Sequence, residues 1–310
     1  MKPSGARILC AAYAGLVSQG LGLAEASGIA AETVALTPRV PWRLLTPRLW
    51  PKPLSAVGLE PPFPPFAIAV GGVGAAVGAA LKERGSRVVQ VQHPRMRFDR
   101  FDLVLAARHD EISGPNVVVT RTALHRATPA RLGAAAALWA PRFANLPRPL
   151  VGVLIGGTNG RFRLGSAVAA RLGRSLAGMA RADAVGVALT PSRRTDRAAL
   201  AALRAALEPV GGYVWDGTGD NPYFGLLGLS DAIIVTVDSV SMISEAVATR
   251  VPVMLAPLPG RSRRNRLFVV DLEALGRVRM FAGRLESWPV APLDDTALAA
   301  AEMCRRLGFD

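Results

Sequence analysis

The amino-acid sequence predicts an α/β protein of two Rossmann-like domains facing across a cleft. Three observations carry this. At 310 residues the chain is about twice the length of a typical domain. Apolar runs of strand length alternate with longer helical patterns, the signature of βαβ units and parallel sheets. After a stretch with three prolines between Pro141 and Pro149, the pattern starts again at Leu150.

In the first half, strands are expected near 6–11, 33–36, 66–70, 87–92, 101–106 and 116–120, with helices at about 18–27, 73–84 and 128–139. The proline-rich stretch Pro38 to Pro65 is expected to wrap the surface. In the second half, strands near 150–155, 184–189, 212–215, 231–237 and 252–256 alternate with helices near 164–181, 195–207, 222–229 and 239–249. Residues 293–307 read as a final amphipathic helix. The expected division is 1–145 and 146–310, with that last helix packing back on the first domain.

Half the residues are hydrophobic and 19% are charged, which excludes a disordered chain. The formal charge is +14, and only Lys2, Lys52 and Lys82 are lysines among 37 cations. The arginines are scattered, and few aromatic residues lie among them to stack bases. An acidic ligand or an anionic membrane surface therefore fits better than nucleic acid, and no specific nucleic-acid partner is expected. Cys10 and Cys304 make neither a disulfide framework nor a metal site, as in a reducing compartment. Ala24-Glu25-Ala26 resembles a signal-peptide cleavage site, but residues 6–27 also read as the strand and helix that open the first domain. The apolar stretch Phe66 to Leu81 is broken by glycines and is shorter than the ~20 residues a membrane helix requires. The expected location is the cytoplasm, with peripheral contact at the inner membrane face as the form of any membrane association.

Several segments suit phosphate chemistry. Gly15 to Gly20 has the outer spacing of a Walker A loop but lacks its lysine, so it reads as a turn for chain reversal, as does Gly71-Gly72-Val73-Gly74. The strand leading to Gly156-Gly157-Thr158 presents backbone N–H groups at a positive helix end, with Arg161 and Arg163 nearby; the alternative is a βα turn with solvated arginines. Ser192-Arg193-Arg194 follows a strand end, where ligands of open α/β sheets bind. Adjacent guanidinium groups can fork onto phosphate oxygens there, the alternative being a solvated turn, and Thr190 or Ser192 can cap the next helix. Next, a buried strand delivers Asp238 and Ser239 to a helix start that carries Ser241 and Glu245. A carboxylate so placed can accept hydrogen bonds from ribose hydroxyls; the alternative is a capped helix with a solvated Glu. Asn221 begins a helix that can line the same crevice, and Arg261, Arg263, Arg264 and Arg266 follow Pro257 to Gly260.

Taken together, Gln19-Gly-Leu-Gly-Leu-Ala-Glu-Ala, Phe101-Asp-Leu-Val, Gly114-Pro-Asn116-Val-Val-Val-Thr120, Ile155-Gly-Gly, Ser192-Arg-Arg-Thr195, Asn221-Pro-Tyr and Thr236-Val-Asp238-Ser239 through Glu245-Ala resemble the mitochondrial fission family named after the plant elongated-mitochondria protein, and its bacterial branch in particular. The resemblance covers nearly the whole chain. It implies the architecture of GT-B glycosyltransferases such as the enzyme that adds N-acetylglucosamine to lipid-linked peptidoglycan precursors. The first domain then takes the acceptor and the second holds a nucleotide diphosphate, with Ser239, Ser241 and Glu245 at positions that hold the donor nucleotide. Family members usually carry an acidic residue and glycine after the first strand, where this chain has Ala11-Ala-Tyr-Ala-Gly15. That difference bears on acceptor recognition and catalysis.

The implied activity is transfer from a nucleotide-diphosphate sugar to a lipid-linked or envelope acceptor. The alternative is a non-catalytic adaptor that recruits partners at a membrane surface. No Asp-x-Asp triplet occurs, so a metal-independent reaction without a cofactor is expected, with donor charge met by arginines and helix ends. An inverting transfer needs a general base, for which His93, His109 and Asp110 follow first-domain strands.

Overall fold

A computed structural model describes residues 2–309. The chain forms two compact units, one comprising residues up to Arg126 together with those from Asp294 on, the other Ala127–Leu293.

The first unit is a six-stranded parallel sheet built from β1 (Ala6–Cys10), β2 (Ala31–Ala35), β3 (Phe66–Val70), β4 (Arg87–Val91), β5 (Leu103–Ala107) and β6 (Val117–Thr120), in the order β2-β1-β3-β4-β5-β6. β3 and β5 are buried along their whole length, as a sheet covered on both faces requires. The first helix, α1, spans Ala14–Ser27, so the Gly15 to Gly20 segment lies inside a helix and not in a turn. α2 (Pro53–Val57) belongs to the proline-rich stretch, and α3 (Gly71–Lys82) follows β3 directly. That stretch is more than a wrapping: Trp50, Leu54 and Ala56 are buried within it, with Trp50 and Ala56 packed on Ala76 of α3.

The second unit contains α4 (Pro129–Phe143), β7 (Leu150–Ile155), α5 (Ser166–Ala182), β8 (Gly186–Pro191), α6 (Arg197–Leu207), β9 (Tyr213–Val214), α7 (Tyr223–Leu229), β10 (Ala232–Thr236), α8 (Val240–Val247), β11 (Val253–Ala256), α9 (Arg263–Ala274) and β12 (Val278–Met280). Its sheet is parallel and ordered β12-β11-β10-β7-β8-β9. A boundary at 145/146 would cut this unit, because α4 packs along α7 and Phe143 is buried in the second core. Pro141 lies inside α4 and Pro149 adjoins β7, so the proline-rich stretch is not the linker.

The final helix, α10 (Thr296–Leu307), packs against α1 and adds Ala300, Met303 and Leu307 to the first core, followed by Phe309. Phe309 meets Phe66 edge-on, with ring centroids 5.1 Å apart. Asp295 receives both the backbone N–H and the guanidinium of Arg121. No helix among the described residues is long and apolar enough to cross a membrane.

Candidate nucleotide-binding site

Strand order locates the site. The second sheet grows from β7 through β8 to β9, then continues on the other side of β7 with β10, β11 and β12. Loops leaving β7 and β10 diverge at this switch point, and the crevice outside their carboxyl ends is where open α/β sheets bind ligands.

A buried carboxylate organises the loops there. The Asp238 side chain is fully buried; its Oδ1 accepts from the Thr236 hydroxyl at 2.7 Å, and its Oδ2 accepts from Gly157 N–H at 3.1 Å and lies 2.8 Å from Arg194 Nη1. Thr236 in turn accepts from Gly156 N–H at 2.7 Å. The Gly156 carbonyl accepts from the hydroxyls of Ser192, at 2.7 Å, and Thr195. A side chain at either glycine would force its neighbours to move: a Cβ on Gly156 would lie 2.2 Å from Asp238 Oδ1, and one on Gly157 would lie 2.2 Å from the Arg194 carbonyl oxygen. Strand ends β7, β8 and β10 are thereby fastened into one polar knot.

This geometry changes several sequence expectations. The N–H groups of Gly156 and Gly157 are engaged by Thr236 and Asp238, and α5 begins only at Ser166, so these amides are neither free nor at a helix end. Asp238 is internally satisfied and holds the loops rather than facing a ligand. Arg194 is tied to Asp238, so the adjacent arginines do not act as a matched fork, although both side chains are exposed. Neither Thr190 nor Ser192 caps α6. Asp196 does, accepting from Ala199 N–H at 2.6 Å, and Ser192 instead supports the turn.

Asn221 is exposed before α7; its Oδ1 accepts from the Thr190 hydroxyl at 3.1 Å and from Tyr223 N–H at 2.9 Å. The Tyr223 hydroxyl donates to Oε2 of Glu245. Burial first, and then the charge and hydrogen bond of Glu245, push the Tyr223 phenol well above its ordinary pKa, so Tyr223 is a fixed donor. Glu245 is itself only 5% exposed, which excludes the solvated-Glu alternative. Ser239 occupies the N-cap position of α8 without a side-chain capping bond, and both Ser239 and Ser241 are half-buried in its first turn.

Beside the knot lies a cavity of about 560 Å³ lined by Thr158, Asn159, Gly160, Arg161, Arg163 and the Pro259-Gly260 turn. Its walls are braced: Asn159 Oδ1 accepts from the N–H groups of Arg161 at 2.8 Å and Phe162 at 2.9 Å, and Arg163 N–H donates to the Pro259 carbonyl at 2.9 Å. Arg161 and Arg163 are exposed, and neither has a carboxylate partner among the described residues. Only Thr158 of the donor-binding candidates lines this cavity. The sequence signal for the rest is the arginine pair and the Pro-Gly turn.

In the first unit, His93 follows β4 and accepts from Arg95 N–H through Nδ1 at 2.9 Å. His109 and Asp110 form a single turn after the neighbouring strand β5; His109 is buried and Asp110 partly exposed. All three lie at the carboxyl edge of the first sheet. Among the described residues no group of three or more His, Cys, Asp or Glu side chains is arranged to hold a metal ion.

Two parallel α/β units with a braced crevice at the switch point of the second define a protein of the GT-B fold class. Solved structures share this fold: UDP-GlcNAc 2-epimerase of Methanocaldococcus jannaschii in complex with UDP-GlcNAc and UDP, with a TM-score of 0.58 and 13% identity over 100% of both chains; LpCGTa in complex with UDP, with a TM-score of 0.54 and 13% identity over 98% of this chain and 94% of that one; and MurG of Acinetobacter baumannii, with a TM-score of 0.52 and 16% identity over 98% and 90%. Residues 14–307 match the family Mitochondrial fission ELM1. The mitochondrial fission protein ELM1 of Arabidopsis thaliana is 36% identical over 250 residues, which is 71% of this chain and 58% of that protein. The chain belongs to the mitochondrial fission ELM1 family, and the matched region spans 58% of that curated relative's length.

Proposed function

We propose that the second unit binds a nucleotide-diphosphate sugar and that the protein transfers the sugar, without a metal, to a lipid-linked or envelope acceptor at an anionic membrane surface. The observation that carries this is the braced cavity with Arg161 and Arg163 on its wall, beside the crevice at the switch point. Unpaired guanidinium groups match phosphate oxygens in charge and fork geometry. Exposed Thr158 on its wall, and Arg193 and the half-buried hydroxyls of Ser239 and Ser241 at the strand ends of the same sheet, supply further donors. Fold neighbours crystallised with UDP or UDP-GlcNAc support uridine diphosphate as the first probe. His93, His109 and Asp110 are the proposed bases, each tested by replacement.

Titration calorimetry with uridine diphosphate tests the reading. Binding is expected in the parent protein, weakened about tenfold or more in Arg163→Ala, with Arg193→Ala and Glu245→Ala as further probes. Absence of binding to any nucleoside diphosphate would sink it. The alternative, a non-catalytic adaptor, is favoured by one observation: an exposed Tyr13 stands after β1 where an acidic residue is expected. Binding without acceptor-dependent release of nucleotide selects the adaptor; such release selects the transferase.

A further inference from the structure

Large hydrophobic side chains are rarely left in water in a cluster, yet the proline-rich segment between β2 and α3 exposes four within ten residues: Val40 at 64%, Leu44 at 76%, Leu45 at 45% and Leu49 at 60%. The cations Arg39, Arg43, Arg48 and Lys52 are interleaved with them and are also exposed. From Thr33 to Leu59 there is no Asp or Glu, and none of these four cations has an ion-pair partner among the described residues.

The segment is nevertheless held in shape from beneath. Trp50 is buried against Ala56 and Ala76, and its indole N–H donates to the Trp42 carbonyl at 2.9 Å and the Leu45 carbonyl at 3.3 Å. Arg39 N–H donates to the Ala56 carbonyl at 2.8 Å. The inner side chains thus anchor the loop to the unit, while the four apolar side chains and the cations interleaved with them stay exposed. A flexible loop would lose ordering entropy on insertion; this one is already ordered.

We infer that residues 39–52 form a preformed membrane-docking loop, in which Val40, Leu44, Leu45 and Leu49 enter the headgroup–acyl boundary while the four cations engage anionic lipid. The pairing of apolar insertion with positive charge is what an anionic bilayer surface recognises, and the absence of carboxylates removes the repulsion that would oppose it. This loop is the element behind the membrane contact proposed above and rests on that part of the reading. Lipid binding and nucleotide binding are measured separately, so either can fail alone.

The test is co-sedimentation of the full chain with phosphatidylcholine vesicles and with phosphatidylcholine vesicles containing phosphatidylglycerol. Binding is expected only to the second kind and falls about tenfold or more in Leu44→Ser/Leu49→Ser, and likewise in Arg43→Gln/Arg48→Gln. A Leu138→Ser/Leu298→Ser control, which removes exposed leucines elsewhere, binds like the parent. All these positions are exposed, so the variants keep the parent melting temperature. No binding to anionic vesicles, or binding indifferent to both loop variants, overturns the inference. So does sedimentation of the parent as a dimer that Leu44→Ser/Leu49→Ser dissolves, since the loop would then be a contact between two copies.

Discussion

Gly156 leaves no room for a methyl group, because the nearest oxygen of Asp238 would lie 2.2 Å from it. Gly156→Ala is therefore expected to cost about 1–3 kcal/mol through forced displacement of the buried carboxylate. Urea denaturation measures this, and a variant as stable as the parent would show that the knot is looser than described. The same residue illustrates what a sequence conceals. Glycine after a strand reads as a phosphate-binding turn, but the partner that occupies its amide lies some eighty positions away, on another strand. Arg277 teaches a similar lesson. Its charge alone would suit a surface position, yet it is buried and donates to the carbonyl oxygens of Val247, Thr249 and Val251 at and just beyond the end of α8. Burial lowers its pKa to about 10, which leaves it charged at neutral pH. Spacing within a segment carries no trace of such distant acceptors.

At the scale of elements, α10 is fixed to the first unit by a charged joint at its start. Burial alone would raise the Asp295 carboxyl, but the hydrogen bonds and charge of Arg121 more than offset it and hold the pKa below the ordinary carboxylate value. A group depressed in the folded state contributes stability that is complete above its unfolded pKa and is lost as pH falls through the folded value. Stability of the first unit should therefore decline on acidification below about pH 4, and Asp295→Asn should flatten that part of the curve. Thermal melts across an acid pH series check both; an unchanged slope in Asp295→Asn removes the joint from the account. Most strands and helices were legible because buried parallel strands such as Ile233–Thr236 stand out as apolar runs. α9 and β12 were not. Arg263, Arg264 and Arg266 crowd the start of α9 and mask its apolar stripe, while β12 is three residues long with a charged residue at its centre. The first turn of α1 is hidden because Ala14 and Gly15 lack helical periodicity.

At the scale of the whole molecule, the candidate site was legible as a neighbourhood rather than as a set of contacts. The segments after β7, β8 and β10 stand out in the sequence because each follows a strand end, while the division of labour within them depends on pairings across the sheet. The chain also leaves the first unit after Arg126 and returns at Asp294. A chain ending at Leu293 would lack Ala300, Met303, Leu307 and Phe309 from the first core while keeping every strand of the second sheet. Hydrogen exchange is expected to rise steeply in β1, α1 and β3 of that variant and to stay near the parent level in β7, β8 and β10. Equal loss of protection in both units would contradict their separateness.

The return of the chain also sets an order of assembly during synthesis. A ribosome makes the first sheet's strands early but delivers α10 and Phe309, which complete the core around Phe66, only after the entire second unit. The segment made second can thus finish folding first, while the earlier one waits with apolar surface uncovered, the condition under which nascent chains depend on chaperones.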